Sequence, residues 1–197
     1  MIRTPNPEPR LRNKVRIISG RWRGRWLEFV DSPGLRPTPN RVRETLFNWL
    51  QAYVPGARVL DLFAGSGALG FEAASRGASS CTMIERDAST VAMLKAQANR
   101  LASVATEIIQ ADTQTWLKRS SHEPPYNVVF IDPPFDLGLW QSTLSSLIEF
   151  EWLSPEAHVY MEMPIGVADD LDIGALEIRR RLRAGEVEVL LLHKASL

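Results

Sequence analysis

A short proline-rich turn, Asp132-Pro133-Pro134-Phe135, follows the apolar run 128–131 and carries residue types that can hold a planar amine. The Asp132 carboxylate and the Pro133 carbonyl can each accept one N–H, and proline adds no competing donor because its nitrogen carries no hydrogen. Phe135 offers a face on which a flat ring can stack. A plain strand end closed by a proline-stiffened turn has the same sequence pattern, so the chemical interpretation depends on a second motif.

That second motif is a glycine loop that follows the apolar segment 58–62 and contains Gly65, Gly67 and Gly70. The order of strand, glycine loop and helix start is typical of a site for an adenine nucleotide cofactor. Gly65 and Gly67 let the backbone approach a ligand where any side chain would intervene. The same spacing matches the fingerprint of nicotinamide cofactors, so the loop alone does not choose between cofactors.

Three carboxylates stand at or just after predicted strand ends: Asp61, Glu85 and Asp112. A negative charge at Asp61 would oppose a pyrophosphate and suits the positive amino group of an amino acid moiety. Glu85 can accept from ribose hydroxyls with either cofactor, and Asp112 can accept from an adenine amine. An ordinary surface carboxylate beside Arg86 is the alternative for Glu85, and a helix N-cap is the alternative for Asp112.

Beyond residue 56, strand and helix patterns alternate, which predicts an α/β domain with a mostly parallel sheet covered on both faces. Strands are predicted at 58–62, 81–85, 107–110, 127–131, 157–162, 175–182 and 186–193. Helices are predicted near 68–76, 88–102, 112–119 and 138–150. Only three residues separate the last two strands, so they should form an antiparallel hairpin.

The N-terminal part divides into a flexible basic arm, 1–14, and an extension, 15–52, ahead of the α/β domain at 53–197. Within the extension we predict strands at 15–18 and 26–30, joined through a turn at 20–24. A helix is predicted from Arg41 because Val42, Leu46 and Trp49 have helical spacing, with Asn40 as its N-cap.

Positive charge is concentrated at this end of the chain: residues 1–50 hold 11 Lys or Arg against 4 Asp or Glu. On an extended strand, the alternation of arginines with Trp22 and Trp26 would place the arginines on one side and the tryptophans on the other. This arrangement suits contact with nucleic acid phosphates, although a solvated charged face would also explain it. The candidate residues are Arg21, Arg23, Arg25, Arg36, Arg41 and Arg43.

Composition narrows the class of protein. The chain has 197 residues, 45% of them hydrophobic and 23% charged, which fits one globular domain with an appendage. No apolar run approaches the roughly 20 residues of a membrane span, and no apolar signal sequence follows Met1. With one cysteine and three dispersed histidines, we expect no internal disulfide and no metal, and a cytoplasmic location.

Together these motifs resemble a known family. The glycine loop, Glu85, Asp112 and the Asp132 turn are similar to those of class I S-adenosylmethionine-dependent methyltransferases that modify exocyclic amines. The segments Arg21–Arg25, Arg36-Pro-Thr38 and Arg41–Asn48 narrow the resemblance to bacterial guanine-N2 methyltransferases of small-subunit (16S) ribosomal RNA.

The resemblance implies a Rossmann-like fold and S-adenosylmethionine as the cofactor. It implies a cofactor site formed by Asp61, Phe63, Ala64, Gly65, Gly67, Glu85, Arg86 and Asp112, and a catalytic turn formed by Asp132, Pro133, Pro134 and Phe135. The substrate would be a guanine amine in an assembled or assembling ribosomal subunit, and the enzyme a monomer. The turn itself does not name the base, so an adenine-N6 methyltransferase is one alternative. A nicotinamide oxidoreductase and an RNA-binding module without activity are two others.

Overall fold

The computed structural model describes residues 12–30, 39–119 and 124–195. Its strands are β1 (Arg12–Arg16), β2 (Trp26–Val30), β3 (Arg58–Asp61), β4 (Ser80–Glu85), β5 (Thr106–Gln110), β6 (Tyr126–Ile131), β7 (Leu153–Pro164), β8 (Leu176–Ala184) and β9 (Val187–Lys194). β1 and β2 form a hairpin, and the others form one sheet in the order β5-β4-β3-β6-β7-β9-β8. β3 to β7 pair in parallel, whereas β9 is antiparallel to β7 and β8. The predicted α/β sheet with a C-terminal hairpin is therefore confirmed.

Helices cover both faces of this sheet. They are α1 (Asn40–Trp49), α2 (Ala68–Ser75), α3 (Ala88–Arg100), α4 (Thr113–Leu117) and α5 (Trp140–Glu149). The apolar cluster on one face takes residues from α1, α2, α3 and the β1–β2 hairpin, and the cluster on the other face takes residues from α4 and α5. No helix in the described part of the chain is long and apolar enough to cross a membrane.

The N-terminal hairpin is attached to α2 through a buried carboxylate. Glu72 accepts the backbone N–H of Ile18 at 2.7 Å and that of Ser19 at 3.0 Å, and the Arg76 guanidinium donates to it at 2.7 Å. Charge-assisted hydrogen bonds of this kind are roughly twice as strong as neutral ones. Because hairpin residues also share the apolar cluster of the sheet, the extension is packed onto the α/β domain.

Several predicted details of the N-terminal part were wrong. β1 begins at Arg12, inside the predicted arm, and ends before Ile17; residues 1–11 lie outside the described residues. The turn predicted at 20–24 is confirmed, with φ of +80° at Gly20 and +84° at Gly24, so the alternation of arginines and tryptophans on an extended strand does not occur there. The N-cap of α1 is Pro39, and the side chain of Asn40 instead accepts from Arg43 at 2.6 Å.

Candidate active site

A cavity of about 1250 Å³ opens at the carboxyl ends of β3, β4, β6 and β7, the edge at which ligands bind in open α/β sheets. The predicted site residues that line it are Asp61, Phe63, Ala64, Gly65, Glu85, Arg86, Asp112, Asp132, Pro133, Pro134 and Phe135. The glycine loop and the Asp132 turn therefore face one shared space. This volume lies above the range of roughly 300–1,000 Å³ typical of a pocket for one small ligand, so there is room for a cofactor and part of a second molecule.

Gly67 is not among the described residues that line the cavity, although it was predicted to bind the cofactor. It has φ +75°, and a Cβ on it would come within 2.6 Å of the Phe71 ring. A Cβ on Gly70 would likewise meet the Cε of Met83 at 2.5 Å. These two glycines therefore shape the loop and let α2 pack closely on the sheet.

Asp61, at the end of β3, is buried beneath the glycine loop. Its carboxylate accepts the backbone N–H of Gly70 at 3.0 Å. Burial raises the pKa of Asp61 to about 7, and hydrogen bonds from the Gly70 and Phe63 amides only partly oppose that rise. A cation in the cavity would favour the ionised form, so the site is suited to a positively charged ligand group.

Glu85, at the end of β4, connects the glycine loop to the next helix. Its carboxylate accepts the N–H of Gly65 at 3.0 Å and that of Asp87 at 2.8 Å. Asp87 in turn caps α3 through a hydrogen bond from the Thr90 amide at 2.8 Å. A carboxylate has about four acceptor positions, so Glu85 can hold the loop and still accept from ligand hydroxyls.

Asp112 is the N-cap of α4, which confirms the alternative interpretation of this residue. One of its oxygens, Oδ1, accepts both the backbone N–H and the hydroxyl of Thr115 at 2.9 Å. The second oxygen takes no part in either bond, and Asp112 also lines the cavity. Capping and contact with a ligand are therefore compatible. Thr113, which the sequence interpretation missed, also lines the cavity and donates its hydroxyl to the Leu62 carbonyl at 2.5 Å.

The turn after β6 presents its residues at different depths. Asp132 is half-buried, Pro133 is buried, and Phe135 is 41% exposed. The Phe135 ring lies 5.8 Å from that of Trp140, which fixes one side of it. An anchored aromatic ring with an exposed face is the arrangement that stacking on a flat ligand requires.

Glu162 is a cavity residue that sequence reasoning missed. It lies on β7, is only 4% exposed, and accepts the Tyr160 hydroxyl at 2.6 Å through Oε2. Its backbone carbonyl accepts the Trp140 indole N–H at 2.7 Å. A single acidic residue inside the apolar run 159–163 was the signal that could have found it.

The predicted phosphate-contacting arginines within the described residues differ in exposure. Arg21, Arg23 and Arg25 are exposed, but they lie on or beside the 21–24 turn, where Trp22 is buried and Trp26 is 50% exposed. The Arg21 backbone N–H donates to the Ser75 carbonyl at the C-terminal end of α2. Since α2 has eight residues, this turn lies about 12 Å along the helix from the glycine loop.

The other predicted arginines are Arg36, Arg41 and Arg43, and the two that the structure describes differ in exposure. Arg41 is exposed in the first turn of α1, two residues after Pro39, which lines the cavity. Arg43 was predicted to contact RNA, but it is fully buried and donates to the Arg16 carbonyl at 3.0 Å. Its position corrects that prediction. Arg36 lies outside the described residues.

Comparison with known proteins places the chain in a family. The model of the family described as Conserved hypothetical protein 95 matches residues 15–193. The chain belongs to this family. It is 45% identical over 163 residues to ribosomal RNA small subunit methyltransferase D of Haemophilus influenzae, covering 82% of each chain. The protein of the same name from Escherichia coli K12 is 45% identical over 152 residues, which is 77% of this chain and 76% of the relative.

Solved structures support the same assignment. The yhhF protein of Escherichia coli superposes with a TM-score of 0.83 at 38% identity, covering 94% of this chain and 100% of that one. An RNA methyltransferase from Salinibacter ruber, solved in complex with S-adenosyl-L-homocysteine, gives a TM-score of 0.61 at 21% identity over 82% of this chain and 95% of that one. The protein is therefore a methyltransferase with the class I fold.

Proposed function

We propose that this methyltransferase uses S-adenosylmethionine to methylate the exocyclic N2 amine of a guanine in small-subunit (16S) ribosomal RNA. The observation that carries the proposal is the shared cavity, in which the glycine loop and the Asp132 turn face the same space. The relatives at 45% identity, which are named for small-subunit ribosomal RNA, support the choice of substrate. We place the reaction in the cytoplasm, on an assembled or assembling ribosomal subunit and by a monomeric enzyme.

The residues of the cavity fit this cofactor. Asp61 is a buried carboxylate whose raised pKa would return toward its ordinary value beside a positive amino group. Glu85 would accept from the ribose hydroxyls and Asp112 from the adenine amine, with Phe63, Ala64 and Arg86 around them. S-adenosylmethionine supplies an electrophilic methyl group when it is bound.

The Asp132 turn would prepare the amine. A guanine amine is a poor nucleophile because its lone pair is delocalised into the ring. Asp132 and the Pro133 carbonyl would accept its two N–H bonds, which favours a tetrahedral nitrogen with its lone pair directed away from both acceptors. Asp132 is also placed to receive the proton that the amine loses. The target base must leave its stack to enter the cavity, and the exposed face of Phe135 would replace the lost stacking.

The test is to incubate the enzyme with radiolabelled cofactor and, separately, naked ribosomal RNA, small ribosomal subunits and DNA, and then to map the labelled nucleoside. We expect N2-methylguanosine from ribosomal RNA or subunits. Label in N6-methyladenosine would overturn the guanine assignment, and label in DNA would overturn the RNA assignment.

A matched pair of variants tests the role of the turn. Asp132→Ala should lower turnover by about a thousandfold, while the dissociation constant of S-adenosyl-L-homocysteine changes little. Asp136→Ala is the control, because Asp136 is an exposed carboxylate of the same cavity to which no role is assigned. An Asp132→Ala enzyme with the turnover of the control would contradict the proposal.

A further inference from the structure

Asp132 and Glu162 occupy neighbouring positions at one edge of the sheet. β6 and β7 pair in parallel with Ile131 opposite Met161. The residues that follow this pair are Asp132, just after β6, and Glu162, within β7. Adjacent strands are about 4.8 Å apart. Side chains alternate between faces along a strand, so Glu162 lies on the face of Tyr160, and Asp132, the first residue after β6, would lie on the face of Phe130 if the strand continued. Phe130 and Tyr160 pack edge to face at 6.0 Å, so that face is the same for both carboxylates. Both Asp132 and Glu162 line the cavity.

The position of Glu162 is fixed by its surroundings. Tyr160 is fully buried and its hydroxyl donates to Oε2 of Glu162 at 2.6 Å. The backbone carbonyl of Glu162 accepts from the Trp140 indole, which packs near Phe135. A carboxylate has about four acceptor positions, so Glu162 can accept from Tyr160 and also from a donor of a ligand in the cavity that it lines.

We propose that Glu162 accepts the N1–H of the target base and so selects guanine. This inference rests on the proposed function, in which Asp132 and the Pro133 carbonyl hold the neighbouring N2 amine. In guanine, N1 carries a hydrogen and is bonded to the same carbon as the N2 amine, so two adjacent carboxylates match two adjacent donors. In adenine, N1 is an acceptor beside the N6 amine, and its lone pair would face the Glu162 carboxylate. A site built around a hydrogen bond rejects a base that lacks the donor, because its own buried group is then left unpaired.

One nucleoside replacement isolates this contact. In 2,6-diaminopurine the 2-amine is kept, but N1 is an acceptor. We expect the wild-type enzyme to methylate RNA with guanosine at the target position at least about a hundredfold more efficiently, in kcat/KM, than RNA with 2,6-diaminopurine there. A preference below threefold would overturn the proposal, whatever any variant does.

The variant Glu162→Gln tests which residue causes the preference. Its amide can accept from the N1–H of guanosine and can also donate to N1 of 2,6-diaminopurine, so the preference should fall at least tenfold. Glu186→Gln, a change at an exposed glutamate that also lines the cavity, should leave the preference as it is in the wild type. Tyr160→Phe removes the hydroxyl but keeps the carboxylate, and it should keep most of the preference. Equal losses on both substrates in Glu162→Gln would indicate a structural role and overturn the assignment.

Binding gives a readout that does not depend on turnover. With S-adenosyl-L-homocysteine present, fluorescence anisotropy should show weaker binding of the 2,6-diaminopurine RNA to the wild type, and the difference should shrink in Glu162→Gln. If wild-type enzyme forms no N2-methylguanosine on any RNA, the proposed function fails; if it forms that nucleoside without a preference over 2,6-diaminopurine, only the role of Glu162 fails.

Discussion

A Cβ atom built on Gly20 would come within 2.0 Å of the backbone carbonyl oxygen of Ser75, the last residue of α2. The next residue, Arg21, donates its backbone N–H to the same oxygen at 2.7 Å, and the Trp22 N–H donates to the Ser75 hydroxyl at 2.9 Å. The turn that carries the exposed arginines is therefore held against α2 by backbone contacts that leave no space for a side chain at position 20.

Replacing Gly20 with alanine should displace this turn. The control is Gly56→Ala, because Gly56 has a similar φ, +77° against +80°, but a Cβ there meets nothing within 4 Å. We expect Gly20→Ala to lower the free energy of unfolding by about 2 kcal/mol more than Gly56→Ala, since only the first adds a steric clash. Urea denaturation measures this difference. RNA affinity should fall in Gly20→Ala alone, whereas equal behaviour of the two variants would show that the turn is not held as described.

The sheet could be predicted from the sequence because most strands between residues 58 and 164 contain a short apolar run next to turn residues. The short connection before β9 also indicated a hairpin. What the pattern could not supply is the position of β9 between β7 and β8, because a tight turn fixes that two strands pair but not which of them also pairs with a third.

For the candidate site as well, local sequence patterns were informative and contacts between distant segments were not predictable. Asp61, Glu85, Asp112 and Asp132, which line the cavity, could be proposed as site residues because each stands at or just after a predicted strand end. Glu162 does not follow this rule, since β7 continues past it to Pro164; only its acidic side chain inside the apolar run 159–163 distinguishes it in the sequence. Arg43 was predicted to contact RNA because it lies outside the apolar face of the helix. In the structure the β1–β2 hairpin covers it, and a contact between distant segments of this kind could not be predicted from the helical pattern.

Alanine substitutions at Arg43 and at Arg23 should therefore differ in their effects on stability and on RNA binding. Arg43 is buried between the Arg16 carbonyl and the side chain of Asn40, so Arg43→Ala should lower the free energy of unfolding by about 3 kcal/mol, because it leaves a cavity and removes the donor to a buried carbonyl. Arg23 is exposed, so Arg23→Ala should change stability by less than about 0.5 kcal/mol. If Arg23 contacts a phosphate, its loss should reduce the slope of log affinity against log salt by about 1. Denaturation and RNA titrations over a salt series test both, and a stable Arg43→Ala protein would contradict the buried role.

Ionisation of Asp61 should control cofactor affinity. Because burial raises its pKa to about 7 in the free protein, the carboxylate must lose a proton below that pH before it can pair with the cofactor's amino group. Affinity for S-adenosyl-L-homocysteine should therefore rise as pH increases from 5.5 to 7.5, a range in which the amino group of its free amino acid moiety stays protonated. Calorimetry in buffers of different ionisation enthalpy should show proton release on binding.

Asp61→Asn provides the control for that experiment, since asparagine can still accept from the Gly70 amide but does not titrate. The variant should bind more weakly at pH 7.5, and its affinity should be nearly independent of pH over the same range. An affinity for the wild type that is flat between pH 5.5 and 7.5 would contradict the pairing of Asp61 with a cation.

A histidine pair on the neighbouring strands β7 and β9 should make stability depend on pH. His158 stacks on Tyr53 at 3.9 Å between ring centroids and lies 4.8 Å from His193. Burial, then the nearby His193, lowers the pKa of His158 to about 4, with a smaller contribution from Arg179 and a partial opposing effect from Glu156. The folded protein therefore keeps His158 neutral in a range where the unfolded chain protonates it.

The sign of the effect follows from those two states. Well above pH 6.5, His158 is neutral in both the folded and the unfolded protein, and its contribution to stability is fully present. As pH falls from 6.5 to 4, His158 becomes protonated in the unfolded state but stays largely neutral in the folded state. The free energy of unfolding should fall by at most about 3 kcal/mol from this group. The raised pKa of Asp61 acts in the opposite direction over a similar range, so the measurement must be a difference between proteins. Urea denaturation of wild type and His158→Gln at pH 7 and pH 4.5 supplies it: the variant should lose less stability on acidification, and an equal loss would show that His158 titrates normally.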